Sequence, residues 1–174
     1  MVSRVMISSD LHLGHRNVTK WRSQFSSVEE HDEYIIDRHI KTLGKRDIWV
    51  CLGDVCFDRN KLHRLNSISC EKKVLILGNH CTEHLSVLDF LEVFDEIHSL
   101  KKGSHNGVKY WLSHAPIHEE ELRGKINIHG HMHERVLKGG RYINACLEHT
   151  EYEPVWLQDL LIRGGFLDNK GNKR

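Results

Sequence analysis

Five short stretches of this chain end in side chains that bind metals. Asp10 and His12 share one turn, Asp54 follows Gly53, and Asn79 and His80 follow Gly78. His114 follows Ser113, and His131 and His133 belong to Gly130-His131-Met132-His133. Set aside His80, and the donors are two carboxylates, one amide oxygen and four imidazoles, too many for one tetrahedral zinc. Mixed imidazole and oxygen donors suit first-row divalent ions, and two such ions about 3.5–4 Å apart need a bridging group. Asp54, with two oxygens, is the expected bridge. Paired ions share a hydroxide and hold the negative charge that develops during in-line attack on phosphorus. His80, one residue past the expected amide ligand, is positioned to protonate a leaving alkoxide.

These residues need rigid elements behind them. Each group follows a short apolar run, at 5–9, 48–52, 73–77, 108–112 and 126–129, that reads as a strand. Open α/β sheets present ligands at the carboxyl ends of their strands, so the five ends are expected to converge. A capping box, Ser27 with Glu30, predicts a helix ending at Gly44, with Val28, Ile35, Ile36, Ile40 and Leu43 on its apolar face. A second helix is expected over 58–69 with Leu62, Leu65 and Ile68 inward. A third is expected from Thr82 to about Val93, with Leu85, Leu88 and Leu91 inward. Asn106-Gly107 predicts a hairpin where parallel pairing gives way to antiparallel. Residues 142–147 read as another strand and 155–161 as a strand or short helix. One domain is expected over 1–162, followed by a flexible tail at 163–174.

Composition narrows the function classes. A net charge of +1 offers no extended nucleic-acid surface. No apolar run is long enough to span a membrane, and the first residues do not resemble a signal peptide. Five cysteines without a CxxC pair point to reduced thiols in a cytoplasmic protein, with Cys51, Cys70 and Cys146 in the core. Fifteen histidines justify the search for a metal site, although most of them are expected at the surface. Arg16, Asn17 and Arg59 are candidates to line a phosphate or nucleotide pocket. Arg22 reads as part of a solvated face, His129 as structural, and Glu119 to Glu121 as an exposed loop.

The ordered set from Ser9-Asp10-Leu11-His12-Leu13-Gly14-His15 through Gly130-His131-Met132-His133 to Tyr152-Glu153-Pro154-Val155 resembles the calcineurin-like metallophosphoesterase family. Its small bacterial and bacteriophage members are the most similar. The resemblance implies an α/β fold, a four-layer αββα sandwich of two mixed sheets flanked by helices. It also implies two divalent transition-metal ions, manganese first, with iron, nickel or zinc as alternatives. Asp10, His12 and His133 would bind one ion, Asn79, His114 and His131 the other, and Asp54 would bridge. His80 would be catalytic, His15 would meet the substrate phosphate, and Asn144 and Glu148 would support the site. Two departures stand out. Cys81 occupies a position where the family carries an acidic residue that orients the histidine, and Glu83 is the nearest substitute. Gly53-Asp54-Val55-Cys56-Phe57-Asp58-Arg59-Asn60 is one residue longer than the protein Ser/Thr phosphatase motif and lacks its final glycine.

The expected function is therefore a metal-dependent phosphoesterase acting on a phosphodiester or nucleotide-like ester rather than a monoester. A noncatalytic protein-binding scaffold and a nuclease are the alternatives. The full donor set with His80 counts against the first, and the near-neutral charge against the second.

Overall fold

The computed structural model describes residues 3–174. The elements run β1 (Val5–Ser8), α1 (Val28–Thr42), β2 (Ile48–Cys51), α2 (Arg59–Arg64), β3 (Lys72–Ile76), α3 (Val87–Phe90) and β4 (Glu96–His98). There follow β5 (Lys101–His105), β6 (Val108–Ser113), β7 (Ile126–His129), β8 (Tyr142–Asn144), β9 (Val155–Trp156) and α4 (Leu157–Arg163). All five runs that precede the candidate residues are strands.

Two mixed sheets result. The larger has the order β4-β3-β2-β1-β9, with β1 to β4 parallel and β9 antiparallel to β1. The smaller has the order β5-β6-β7-β8, with β5 antiparallel to β6 and the rest parallel. Strand alternation sorts the apolar side chains between two cores. Met6, Trp49, Cys51 and Leu75 pack on Ile35 and Ile36 of α1, Leu62 of α2 and Phe90 of α3. From the opposite face, Ile7, Val50, Leu52 and Val74 meet Val108, Leu112, Ile126 and Ile128 of the smaller sheet. Leu157, Leu160 and Leu161 of α4 join this second core beside β9. The outer face of the smaller sheet is covered by the loop around Ile117, whose N–H donates to Asn127 Oδ1 (2.8 Å) and whose carbonyl accepts from Tyr142 Oη (2.8 Å). The architecture is the expected sandwich of two mixed sheets flanked by helices.

Local expectations meet the structure unevenly. Ser27 caps α1 through the Glu30 N–H (3.1 Å), but the Glu30 carboxylate turns to the Ser26 N–H (2.7 Å) instead of completing the box. Ile40 is 42% exposed, and the polar residues His31, Asp32 and His39 take inward positions on this helix instead. The expected third helix shrinks to the single turn α3, capped by Ser86 and Asp89 rather than by Thr82. Over so short a helix the leucine spacing has no meaning. Phe90 is buried, while Leu88 and Leu91 are 73% and 51% exposed. The hairpin forms as expected, with Asn106 and Gly107 at φ 47° and 79°, the pattern of a type I′ turn. Residues 155–161 are both of the expected things, β9 first and then α4. The segment expected as a tail has contacts with the body. Leu167 is buried in the second core, and Asn106 Nδ2 of the hairpin donates to Gly171 O (2.9 Å). Among the described residues, no helix is long and apolar enough to cross a membrane.

Candidate metal centre

Parallel pairing aligns the ends of the strands. Ser8 lies opposite Cys51, and Cys51 opposite Leu75, so the loops after β1, β2 and β3 emerge side by side. In the second sheet Ser113 lies opposite His129. Backbone hydrogen bonds then tie the loops together: Asp10 N–H to Gly53 O (3.1 Å), His12 N–H to Asp54 O (2.9 Å) and Gly130 N–H to His114 O (2.8 Å). The fit is tight enough to require glycine at three positions. A Cβ on Gly53 would collide with His114 and Gly78, one on Gly78 with Asp54, and one on Gly130 with the side chains of Ser9 and Asp10. Asp10, His12, Asp54, His131 and His133 all have left-handed backbone, with φ between 48° and 65°. Each such residue costs about 1–3 kcal/mol, a strain that concentrates at functional sites.

The turns assemble two donor groups, Asp10 with His12 and His133, and Asp54 with His114 and His131. Within each, one donor atom per residue lies within 4.8 Å of the others. Asn79 Oδ1 is 2.9 Å from His114 Nε2, which places Asn79 with the second group. Asp54 Oδ2 is 3.1 Å from His114 Nε2, and Asp54 Oδ1 accepts the His80 N–H at 2.9 Å. Asp10 Oδ2 accepts from Ser9 Oγ (2.6 Å), His131 N–H (2.9 Å) and Cys146 Sγ (3.2 Å). That leaves Asp10 Oδ1 facing His12 Nε2 at 3.6 Å and His133 Nε2 at 3.8 Å. Both Asp10 Oδ1 and His12 Nε2 are buried without a hydrogen-bond partner. Unpaired buried polar atoms are rare and call for an explanation. A cation between them satisfies both, so the residues fit a metal.

The electrostatics agree. Burial opposes charge on Asp10, but the nearby His12 and His114 imidazoles and the Ser9 hydroxyl hold its carboxyl well below the usual range. Burial pushes His12 down, toward the neutral imidazole that metals bind. His131 is also pushed down, by burial and by neighbouring His114. His114 goes the other way. Burial would lower it, but Asp54 and Asp10 raise it, and a bound cation would replace its proton.

Supporting residues hold these donors in place. His114 Nδ1 lies 2.8 Å from Leu52 O, which leaves Nε2 to face the donor group. His133 Nδ1 lies 3.0 Å from Glu148 Oε1. Burial opposes charge on Glu148, but His133 and Arg22 hold its carboxyl down at about 2. Asn144 Nδ2 donates to His133 O (2.8 Å) and Arg135 O (2.9 Å), pinning the ligand loop. Arg22 overturns the solvated-face expectation, because it is 2% exposed. Its Nε and Nη2 both donate to Glu148 Oε1 (2.9 and 2.8 Å), Nη2 also donates to Asp10 O (2.7 Å), and Nη1 donates to Leu11 O (3.2 Å). The guanidinium thus joins the carboxylate behind His133 to the backbone beneath Asp10. Cys146, expected as a core thiol, is buried but also donates to Asp10. His129 is buried with Nδ1 2.8 Å from Gly130 O, a structural placement.

Beyond the donors lies an open cleft of about 560 Å³, lined by His12, His15, His80 and His133 together with Trp21, Met132 and Arg135. His80 Nδ1 is 2.8 Å from Glu83 Oε1, so Glu83 stands where an orienting carboxylate is needed. Cys81 points elsewhere, buried with its sulfur accepting the Gly78 N–H at 3.3 Å. His15 lies against the first group, its ring 5.9 Å from that of His12. Arg16 and Asn17 are exposed and do not line the cleft. Arg59 is also absent from it, because on α2 its guanidinium pairs with Asp89 (3.4 Å) and Glu92. Trp21, Met132 and Arg135 were not singled out from sequence. They carry no motif, and only their position marks them.

Comparison with known proteins places the chain in context. No protein-family model matches it. Over 169 residues it is 32% identical to the Gene 66 protein of Mycobacterium phage L5, covering 78% of this chain and 80% of that protein. Over 173 residues it is 31% identical to the uncharacterized protein MJ1445 of Methanocaldococcus jannaschii, covering 92% and 90%. Among solved structures, the protein of unknown function AQ665 from Aquifex aeolicus matches with a TM-score of 0.74 at 25% identity, over 91% of this chain and 97% of that one. The phosphoesterase Yfce from E. coli matches with a TM-score of 0.50 at 16% identity, over 82% and 78%. The chain therefore has the calcineurin-like metallophosphoesterase fold and belongs to the family of the phage Gene 66 protein and MJ1445.

Proposed function

We propose that the protein is a metal-dependent phosphoesterase that uses two divalent cations, manganese first among them, to cleave a phosphodiester or nucleotide-like ester. The observation that carries this reading is the buried, unpartnered pair Asp10 Oδ1 and His12 Nε2, beside His133 and next to a second donor group. The fold shared with Yfce, described as a phosphoesterase, supports the reaction class. Five free thiols fit a reducing compartment, so we assign the activity to the cytoplasm.

Asp10, His12 and His133 would hold one cation, Asn79, His114 and His131 the other, and Asp54 would join them. When bound, such a pair activates water at neutral pH and neutralises charge on the phosphate oxygens. The chain's own residues do the rest. Glu83 accepts a hydrogen bond from His80 Nδ1, which fixes the imidazole and leaves Nε2 to give a proton to the departing alkoxide. His15 meets a phosphate oxygen. Arg22, Glu148 and Asn144 keep His133 in place. The cleft volume of about 560 Å³ falls in the range of small-molecule sites. It leaves room for a second esterified group, which favours diesters over monoesters.

The test is Asp54→Asn, assayed with bis-p-nitrophenyl phosphate. The wild type should turn over with manganese and stop with EDTA, and the variant should be inactive. Turnover retained by Asp54→Asn would refute the joining role.

A further inference from the structure

We infer that Trp21 forms a stacking wall for a flat aromatic ring carried by the substrate ester, a nucleobase where the ester is a nucleotide. The inference rests on the phosphoester reading of the donor groups and extends it to the group esterified to the phosphate. Trp21 is 64% exposed, an unusual placement for the largest apolar side chain. It is nevertheless not on a loose loop. It closes the 3-10 turn at Val18–Lys20 through its N–H to Val18 O (3.1 Å), between buried Val18 and buried Arg22. Its neighbours are therefore anchored while the ring stays open to the cleft.

The wall is continuous with the donors. The Trp21 ring is 4.8 Å from that of His15, which is backed by Phe57 at 4.7 Å and leads to His12 at 5.9 Å. A sugar covers such a step between a phosphate and its base. Met132 adds a thioether to the same cleft, a soft and polarisable surface that suits an aromatic ring. Arg135 adds a guanidinium with no ion pair among the described residues, and a guanidinium plane can also stack on a ring. A cleft with a metal-donor end and an aromatic end matches an ester with an anionic centre and a flat apolar group.

The test measures binding to the manganese-loaded full chain by calorimetry. A His80→Ala background keeps the ligand intact during titration. AMP and ribose 5-phosphate share phosphate and sugar and differ in the base. Stacking on an aromatic side chain predicts that AMP binds about 10-fold more tightly. Trp21→Ala should erase that difference, and Trp21→Phe should keep most of it. The exposed position spares the fold in both variants. Phenyl phosphate identifies the source of the ring: affinity equal to that of AMP means any aryl group is accepted, and weaker affinity means a nucleobase is preferred. Equal affinity for AMP and ribose 5-phosphate in the parent, or a preference that survives Trp21→Ala, would overturn the inference. Adenosine separates the two readings. If neither phosphate binds but adenosine does, and only with Trp21 present, the wall stands and the phosphoester reading falls. If no ligand binds, both fall.

Discussion

Arg22→Met is the most informative single change. A surface arginine would tolerate it within about 0.5 kcal/mol. The structure gives a different magnitude. Arg22 and Glu148 have side chains 2% and 10% exposed, and the guanidinium makes two contacts to one carboxylate oxygen. Removing one partner of a buried ion pair costs about 3–5 kcal/mol, because the other charge stays behind. Here the carbonyls of Asp10 and Leu11 also lose a donor. A chain of this length loses about 2–4 °C of Tm per kcal/mol, so the metal-free variant should melt roughly 6–20 °C lower. Glu148→Gln removes the stranded charge, and the double variant should recover at least about 1 kcal/mol of the summed loss. The same substitution acts on the site, since Glu148 orients His133. Manganese affinity measured by calorimetry should fall by about 10–100-fold. A melting temperature within about 2 °C of wild type, together with unchanged manganese affinity, would show that Arg22 is not a strut.

Other outcomes follow from the same site and its surroundings. His80→Ala should lower turnover by about 10²–10⁴-fold while metal analysis still finds both cations; loss of a cation would make His80 a ligand instead. Glu83→Gln should reduce kcat about 10-fold with little change in KM, and because the pair is exposed, stability should move by less than about 1 kcal/mol. His39 offers a pH test away from the cations. Burial pushes it down to about 4 from 6.5, with Nδ1 against Ile35 O (2.8 Å) and Nε2 against Ser8 Oγ (3.1 Å). The unfolded chain takes up that proton first, so its stability contribution is complete above pH 6.5 and is lost as pH falls toward about 4. The loss should amount to about 3 kcal/mol in denaturant titrations and shrink by about that much in His39→Gln. Equal pH dependence in the two proteins would remove His39 from the account.

Sequence alone reveals what is local. Gly53-Asp54, Gly78-Asn79 and Gly130-His131 can be read because a strand end, a close backbone approach and a polar donor occur within three residues. Asn106-Gly107 can be read for the same reason, since its turn is set by its own backbone. The Leu85 to Leu91 spacing misleads because Ser86 and Asp89 start the helix late and Phe90 takes the core position. Arg22 is invisible because its partner Glu148 lies 126 residues away. Arg59 looks like a phosphate ligand until α2 orients it toward Glu92. Trp21 reads as one more loop residue until a cleft opens beside it.

Each donor group draws on both halves of the sandwich. Asp10 and His12 follow β1 of the larger sheet, and their companion His133 follows β7 of the smaller one. Asp54 follows β2, whereas His114 and His131 follow β6 and β7. A cation seated in either group is thus a rivet through the plane where the layers would slide past each other. Loading the protein would lock one rim of that plane and leave the opposite rim, with the first residues of the strands, beyond the reach of either cation.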